Sequence, residues 1–160
     1  MSTLLMVRPY HPNDIEHMAE LITELNEREG YAQKMDADAL RKAFAEDAPV
    51  RVYAFVAESA GQVCGLIMFY DGYDTLTNSY GCHLMDMVVT QSYRRQGLGE
   101  TLLKTLMAQV SELNYHWISL TVMRKNAEAQ AFYKALGFEE IAVDFYAIGS
   151  KAMLRLIQAS

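Results

Sequence analysis

The spacing of apolar side chains divides the chain into short elements of two kinds. Leu4 to Arg8 has strand character, Pro12 and Asn13 interrupt it, and Asn13-x-x-Glu16 has the form of a reciprocal helix cap. Ile15, Met18, Ala19, Ile22 and Leu25 then fall on one face of a helix. The period breaks over Glu27 to Met35, with Gly30 at its centre, and a second helix is expected over Ala37 to Glu46, ahead of Pro49. Val50 to Glu58 alternates as a strand, Ser59-Ala60-Gly61 turns the chain, and Gln62 to about Tyr70 returns antiparallel. A polar stretch, Asp71 to Ser79, separates this hairpin from a strand over Gly81 to Val89. Leu102, Leu103, Leu106, Met107 and Val110 mark an amphipathic helix over Leu98 to Leu113.

The remainder predicts a strand over Trp117 to Val122 and a helix capped by Asn126 and closed by Gly137. Two final strands, Phe138 to Ile148 and Met153 to Ile157, are expected around Gly149. The order β-α-α-β-β-β-α-β-α-β-β predicts an α/β fold, a mixed and mostly antiparallel sheet of about six or seven strands with helices on both faces. No repeat or linker divides residues 1–160, so one domain is expected.

Composition narrows the function. With 51% apolar and 21% charged residues, the chain can bury its own core. Apolar runs such as Val63 to Tyr70 stop well short of the roughly 18 residues that span a bilayer, and the N-terminus lacks the pattern of a secretory leader. A cytoplasmic protein with no membrane partner is expected. Cys64 and Cys82 have no metal-ligand spacing and are read as reduced thiols; no metal is expected. The net charge of −6 is uneven: residues 1–90 carry 14 acidic and 6 basic side chains, residues 91–160 carry 6 and 8. The first stretch, at −8, suits a cationic ligand, and the second, at +2, an anionic one; nucleic acid is disfavoured.

The most informative segment joins the strand ending at Val89 to the helix starting near Leu98. It reads Arg94-Arg95-Gln96-Gly97-Leu98-Gly99-Glu100. Two glycines there allow a tight turn whose N–H groups, with the helix N-terminus, can cradle a pyrophosphate, and two arginines add charge-assisted donors. The three-glycine dinucleotide fingerprint and the Walker lysine are both absent.

Arg94-x-x-Gly97-x-Gly99 resembles the (Arg/Gln)-x-x-Gly-x-(Gly/Ala) signature of the GNAT superfamily of acyl-CoA N-acyltransferases. Asn126-Ala127-Glu128-Ala129-Gln130-Ala131-Phe132-Tyr133-Lys134-Ala135-Leu136-Gly137-Phe138 resembles that family's second motif. Within the family, the chain is most similar to the diamine (spermidine/spermine) N-acetyltransferases. The similarity runs through Arg8-Pro9, Leu21-Ile22-x-Glu24-Leu25, Gly72-Tyr73-Asp74 and Leu84-Met85-Asp86-Met87-Val88-Val89. Those enzymes usually read Leu-Glu-Asp in that strand, with the Glu as general base; here Met85 occupies the Glu position.

The resemblance implies acetyl-CoA as acyl donor and a direct attack by a primary amine. It assigns Tyr133 as general acid toward the departing thiolate, Asn126 to the helix cap and the pantetheine amide, and Met87, Val88 and Val89 to strand-like pairing with pantetheine. An amine with a pKa of ~10.4 costs roughly 4.6 kcal/mol to deprotonate at pH 7, so a base is needed. Asp86 is the first candidate, with Tyr80, His83 and Glu29 as alternatives. Regular alternation would put His83 and Met85 on one strand face and Asp86 on the other. Glu27, Glu29, Tyr31, Tyr73, Asp74, His83 and Met85 are candidates for binding the acceptor, the first three in a loop between the first two helices. Three functions fit: acetylation of a small amine or polyamine, acetylation of a protein or peptide, and acyl-CoA sensing with weak catalysis. A homodimer is compatible with the resemblance.

Overall fold

A computed structural model describes residues 5–159; Leu4, expected to open the first strand, lies outside the described residues. The chain forms two compact units, one through Thr121 and one from Val122 onward.

In the first unit, strands β1 (Leu5–Pro9), β2 (Val52–Ser59), β3 (Gln62–Asp74), β4 (Ser79–Val89) and β5 (Trp117–Leu120) form one sheet in the order β1-β2-β3-β4-β5. Every neighbouring pair is antiparallel except β4 and β5, which run parallel. Helices α1 (Ile15–Glu29) and α2 (Ala37–Ala43) cover one face. Ile15, Met18, Ile22 and Leu40 pack there with Ala54, Val56, Leu66, Met68 and Val88 of the sheet. Helix α3 (Leu98–Glu112) covers the other face and buries Leu98, Leu102, Leu103, Leu106 and Val110. Gly65 lets it approach closely, since a Cβ there would lie 3.2 Å from both Leu102 and Ala57. With both faces covered, β2 and the first half of β3 are buried almost continuously, as central strands require. The expected mixed α/β architecture and both helical stripes are present.

Several boundaries differ from the sequence reading. The cap before α1 is formed by His11 and Asp14, not by Asn13 and Glu16. Asp14, only 7% exposed, accepts from the His11 backbone N–H at 2.6 Å and holds Arg8 at 2.8 Å. Arg8 also grips Glu58 at 2.7 Å, so one guanidinium joins β1, β2 and the start of α1. Helix α1 continues through Glu27 and Glu29 and stops at Gly30, whose φ of 90° is a left-handed cap. Helix α2 ends at Ala43 and β5 at Leu120, each short of the expected span. The hairpin of β3 and β4 reaches Asp74 and Ser79, so Tyr73 and Asp74 stand on a strand instead of in a polar loop. A ladder needs only backbone partners, and the polar side chains of Asp71, Tyr73 and Tyr80 sit where the hairpin extends into solvent.

The second unit holds α4 (Ala127–Ala135) and α5 (Ser150–Gln158). The two expected C-terminal strands are not formed: residues 138–149 carry no regular element, and Ser150–Gln158 is helical. Met153, Leu154, Leu156 and Ile157 recur at helical spacing, which explains the second correction. Ile141, Val143 and Phe145 do alternate, but alternation makes a strand only where a ladder partner exists. The described sheet therefore has five strands, not six or seven. Among the described residues no helix is long and apolar enough to cross a membrane.

Two tests follow from these contacts. Arg8 holds the Asp14 carboxyl below its usual pKa, so its stabilisation is complete above about pH 4 and fades as pH falls toward the lower, folded value. Asp14→Asn should flatten the acid limb of the stability curve measured by urea unfolding; an unchanged limb would remove Asp14 as its source. A Cβ at Gly81 would collide with the indole and carbonyl of Trp117. Gly81→Ala should therefore cost about 1–3 kcal/mol, and an unaltered melting temperature would mean that Trp117 moves aside.

Candidate active site

Strand β4 contains one residue too many for its partner. Met68 pairs with Asp86 and the next residue, Phe69, pairs with Leu84, leaving Met85 as a β-bulge, 42% exposed. Successive residues on β3 point to opposite faces, so the bulge reverses the alternation on β4. Asp86 consequently shares a face with Met68, and His83 shares that same face through its partner Tyr70. Regular alternation put His83 and Asp86 on opposite faces; the bulge brings them together.

This is the face covered by α1. Burial, and secondarily the charge of Glu29 at the end of α1, raise the Asp86 pKa above the usual carboxylate value. His83 is half-buried, and desolvation lowers its pKa. Its Nδ1 lies 3.0 Å from Ser119 Oγ on β5, and its ring centroid is 5.2 Å from that of Tyr70. Beside it, the Trp117 indole lies over the strand pair where Gly72 faces Gly81; a Cβ at Gly72 would come within 2.7 Å of the ring. The two glycines make room for the one tryptophan. Trp117, Ser119 and Tyr70 were not singled out from sequence, although a glycine within a strand signals a close approach of this kind.

Beyond the bulge lies an open edge. Strand β5 pairs with Gly81 to Leu84 only, so β4 beyond Met85 has no strand on its outer side among the described residues. The Thr90 N–H donates to the Cys64 carbonyl at 2.9 Å, which turns Thr90 toward β3 and its neighbour Val89 outward. By the same alternation Met87 faces outward, whereas Val88 faces β3 and its side chain is buried. Val89 is partly occupied, because its carbonyl accepts from Arg94 Nε at 2.7 Å. Arg94 also makes an ion pair with Glu24 of α1, so this arginine braces the loop between strand and helix.

Arg95 and Gly97 in that loop adopt left-handed conformations, with φ of 59° and 79°. Gln96 Nε2 donates to the Ser92 carbonyl at 3.0 Å. Gly97 is the N-cap of α3 and supplies no side-chain cap. The first hydrogen bond at this end of the helix runs from Thr101 N–H to the Gly97 carbonyl, leaving the N–H groups of Leu98, Gly99 and Glu100 without helical acceptors. The space beside Gly97 is open, with no atom within 4 Å of where a Cβ would stand. These donors and the outward backbone of β4 fit an extended amide chain ending in a pyrophosphate.

The acceptor-side candidates separate. Glu27 is exposed on α1 and borders an open depression of about 460 Å³ with Glu24, Arg28, Thr90, Gln91 and Arg94. Glu29 reaches the surroundings of Asp86, and Tyr31 follows the Gly30 cap, exposed. Tyr73 stands three residues from Tyr70 and hence on the opposite face, where it packs edge-on against Tyr80 with centroids 4.9 Å apart. Asp74 holds its own turn, accepting from the Leu76 N–H at 2.9 Å and the Thr77 hydroxyl at 2.7 Å. The Cys82 thiol is pushed up to about 12 by burial, so it offers no nucleophilic thiolate at neutral pH.

In the second unit, Asn126 Oδ1 accepts from the Ala129 N–H at 3.1 Å and caps α4 as expected. Tyr133 lies half-buried on that helix, with ring centroids 5.2 Å from Phe132 and 5.4 Å from Phe138. Gly137 closes the helix with φ of 91°.

Three comparisons bear on this arrangement. An N-alpha-acetyltransferase of Sulfurisphaera tokodaii is 37% identical over 109 residues, covering 62% of this chain and 65% of that protein. A thialysine N-epsilon-acetyltransferase of Caenorhabditis elegans is 28% identical over 79% of this chain and 78% of its own length. The chain spans only 41% of a third relative, mouse N-acetyltransferase family 8 member 3. The aminoglycoside N-acetyltransferase AAC(6')-Iy, solved with CoA, superposes with a TM-score of 0.76 over 94% of this chain and 97% of its own, at 18% identity, and so shares the fold. The profile of the Acetyltransferase (GNAT) family matches residues 15–138, and the chain belongs to that family.

Proposed function

We propose that this protein is an N-acetyltransferase, a single catalytic domain that transfers the acetyl group of acetyl-CoA to a primary amine. The observation that carries the reading is the open edge of β4 beyond Met85, continued by the uncapped N-terminus of α3. Acetyl-CoA supplies an activated acyl thioester. Met87 and the Val89 N–H would pair with its pantetheine arm, while Leu98, Gly99 and Glu100 N–H groups and the exposed Arg95 would bind its pyrophosphate. Arg94 serves this site by fixing the loop between Val89 and Glu24. Tyr133 is assigned by its motif to protonate the departing sulfur, and Asn126 to the second motif's helix cap and pantetheine contact.

The acceptor is proposed to be a small amine or polyamine. Glu16, Glu20, Glu24 and Glu27 recur on one side of α1, and Asp86 with Glu29 extends the negative charge toward His83. The relation to a thialysine N-epsilon-acetyltransferase, whose name specifies a side-chain amine, supports the same class. A peptide amine is the second reading. It is favoured by the 37% identity to an N-alpha-acetyltransferase and by the openness of the depression along α1.

Thiol release from acetyl-CoA against polyamines, free amino acids, aminoglycosides, and lysine or N-terminal peptides tests both readings. Turnover concentrated on small polyamines is expected; turnover on peptides alone would support the second reading, and none on any amine would contradict both. Tyr133→Phe should lower turnover at least tenfold with acetyl-CoA affinity largely kept, and unchanged turnover would remove it from the mechanism. Gly97→Val places a branched side chain at a left-handed position, so calorimetry should show at least tenfold weaker acetyl-CoA binding. Equal affinity would displace the pyrophosphate from this turn.

A further inference from the structure

On the α1 face of β4, two residues before the bulge, stands a histidine whose ring is held from two sides. Building on the acetyltransferase reading, we propose that His83 is the general base, with its Nδ1–H donated to Ser119 and its Nε2 accepting the proton of the acceptor ammonium. Ser119 is a positioning residue.

Three observations lead there. Parallel pairing sets His83 opposite Ser119, and the 3.0 Å contact between Nδ1 and the serine oxygen engages one ring nitrogen. The Tyr70 ring, inclined at 45°, limits rotation from the β3 side. Leu84 then ends the pairing with β5, so His83 occupies the last stretch of closed sheet before the open edge proposed for the thioester arm. With the serine oxygen accepting from Nδ1–H, the neutral imidazole presents its Nε2 lone pair, the form a histidine base needs; a hydroxyl donating to Nδ1 would instead place the proton on Nε2. This face also suits an incoming cation. The Tyr70 ring contacts His83, the Trp117 indole lies over Gly81 on the same face of β4, and Asp86 is turned onto that face.

Of the titrating groups on this face, Tyr70 on β3 contacts the ring and Asp86 follows on β4, with Glu29 of α1 acting on Asp86. From β5 come Ser119 and Trp117, which do not titrate near neutrality. Asp86 is less suited to the final proton transfer. Its carboxyl is buried and feels the charge of Glu29, so it is assigned to attracting the ammonium.

The step balances in charge and atoms. Nε2 takes one proton from the ammonium and later passes it to solvent. The freed nitrogen lone pair forms the C–N bond as the C–S bond breaks. The nitrogen loses its second proton as the sulfur gains one, and each turnover releases one proton in total.

The test combines pH–rate profiles of the full chain, using an amine that it acetylates, with nitrogen-15 imidazole spectra. The wild type should carry an acidic limb in kcat/KM below the ordinary histidine value of about 6.5, because burial lowers the His83 pKa. His83→Gln should lower kcat/KM by about 100-fold or more and abolish that limb, with acetyl-CoA affinity within twofold. Ser119→Ala should cost about tenfold and move the limb, and Ser119→Thr should restore both. In the wild type at neutral pH, His83 should be the Nδ1–H tautomer. An Nε2–H tautomer would overturn the proposal whether or not an acceptor amine is known. So would a limb that survives in His83→Gln, and a limb lost only in Asp86→Asn would transfer the role to Asp86. Absence of turnover by the wild type on every amine, with the Nδ1–H tautomer present, would overturn the acetyltransferase reading and with it the base role, while the Ser119 contact stands.

Discussion

One inserted residue governs this site. Without Met85 as a bulge, β4 would keep regular alternation through its whole length. With it, Asp86 turns to the His83 face, and just beyond it, where the pairing with β5 has ended at Leu84, the outward backbone of Met87 and Val89 is left open. Buried backbone groups rarely stay without partners, so an open edge inside a folded enzyme is a place where another extended molecule can complete the ladder. Met85 stands where the resemblance to the diamine acetyltransferases implies a glutamate base, which points to a division of labour. The bulge keeps its geometric role, and the proton chemistry is assigned to neighbouring side chains.

Other interactions keep that geometry in place. Arg94 links the Val89 carbonyl to Glu24, tying the end of the open strand to α1. At the opposite end of the sheet, Arg8 gathers Asp14 and Glu58 and fixes where α1 begins. Helix α1 is therefore anchored to the sheet at both a buried capping turn and an ion pair near the donor loop. Its acidic stripe is held in a fixed direction, and its terminal Glu29 is delivered to Asp86. The Trp117 indole lies over two paired glycines, a contact that any larger residue at Gly81 would break.

Much of this was legible in the sequence because it depends on local periodicity and turn chemistry. The stripe of Ile15, Met18, Ala19 and Ile22, the Ala60-Gly61 hairpin turn, the Gly97 cap of α3 and the Asn126 cap of α4 are all written in spacing and residue type. The bulge is not, since it belongs to the register between two strands and leaves no mark on either alone. His83 and Asp86 were both named as candidates, but reading β4 as regular set them on opposite faces. Ser119 and Trp117 were missed for the same reason, because their importance comes from parallel pairing across distant segments. The C-terminal stretch departs from its expected strands: Met153 to Ile157 has helical spacing and forms a helix, and Ile141 to Phe145 alternates without a ladder partner among the described residues.

The account stands on the open edge of β4 as the seat of the acyl donor. Amide hydrogen exchange, resolved by residue and compared with and without acetyl-CoA, measures that edge directly. Slowed exchange at Met87, Val89, Leu98 and Gly99, with Val88 unaltered because it already faces β3, is the predicted result. Acetyl-CoA that binds while leaving the Met87 and Val89 amides as exposed as before would contradict the account.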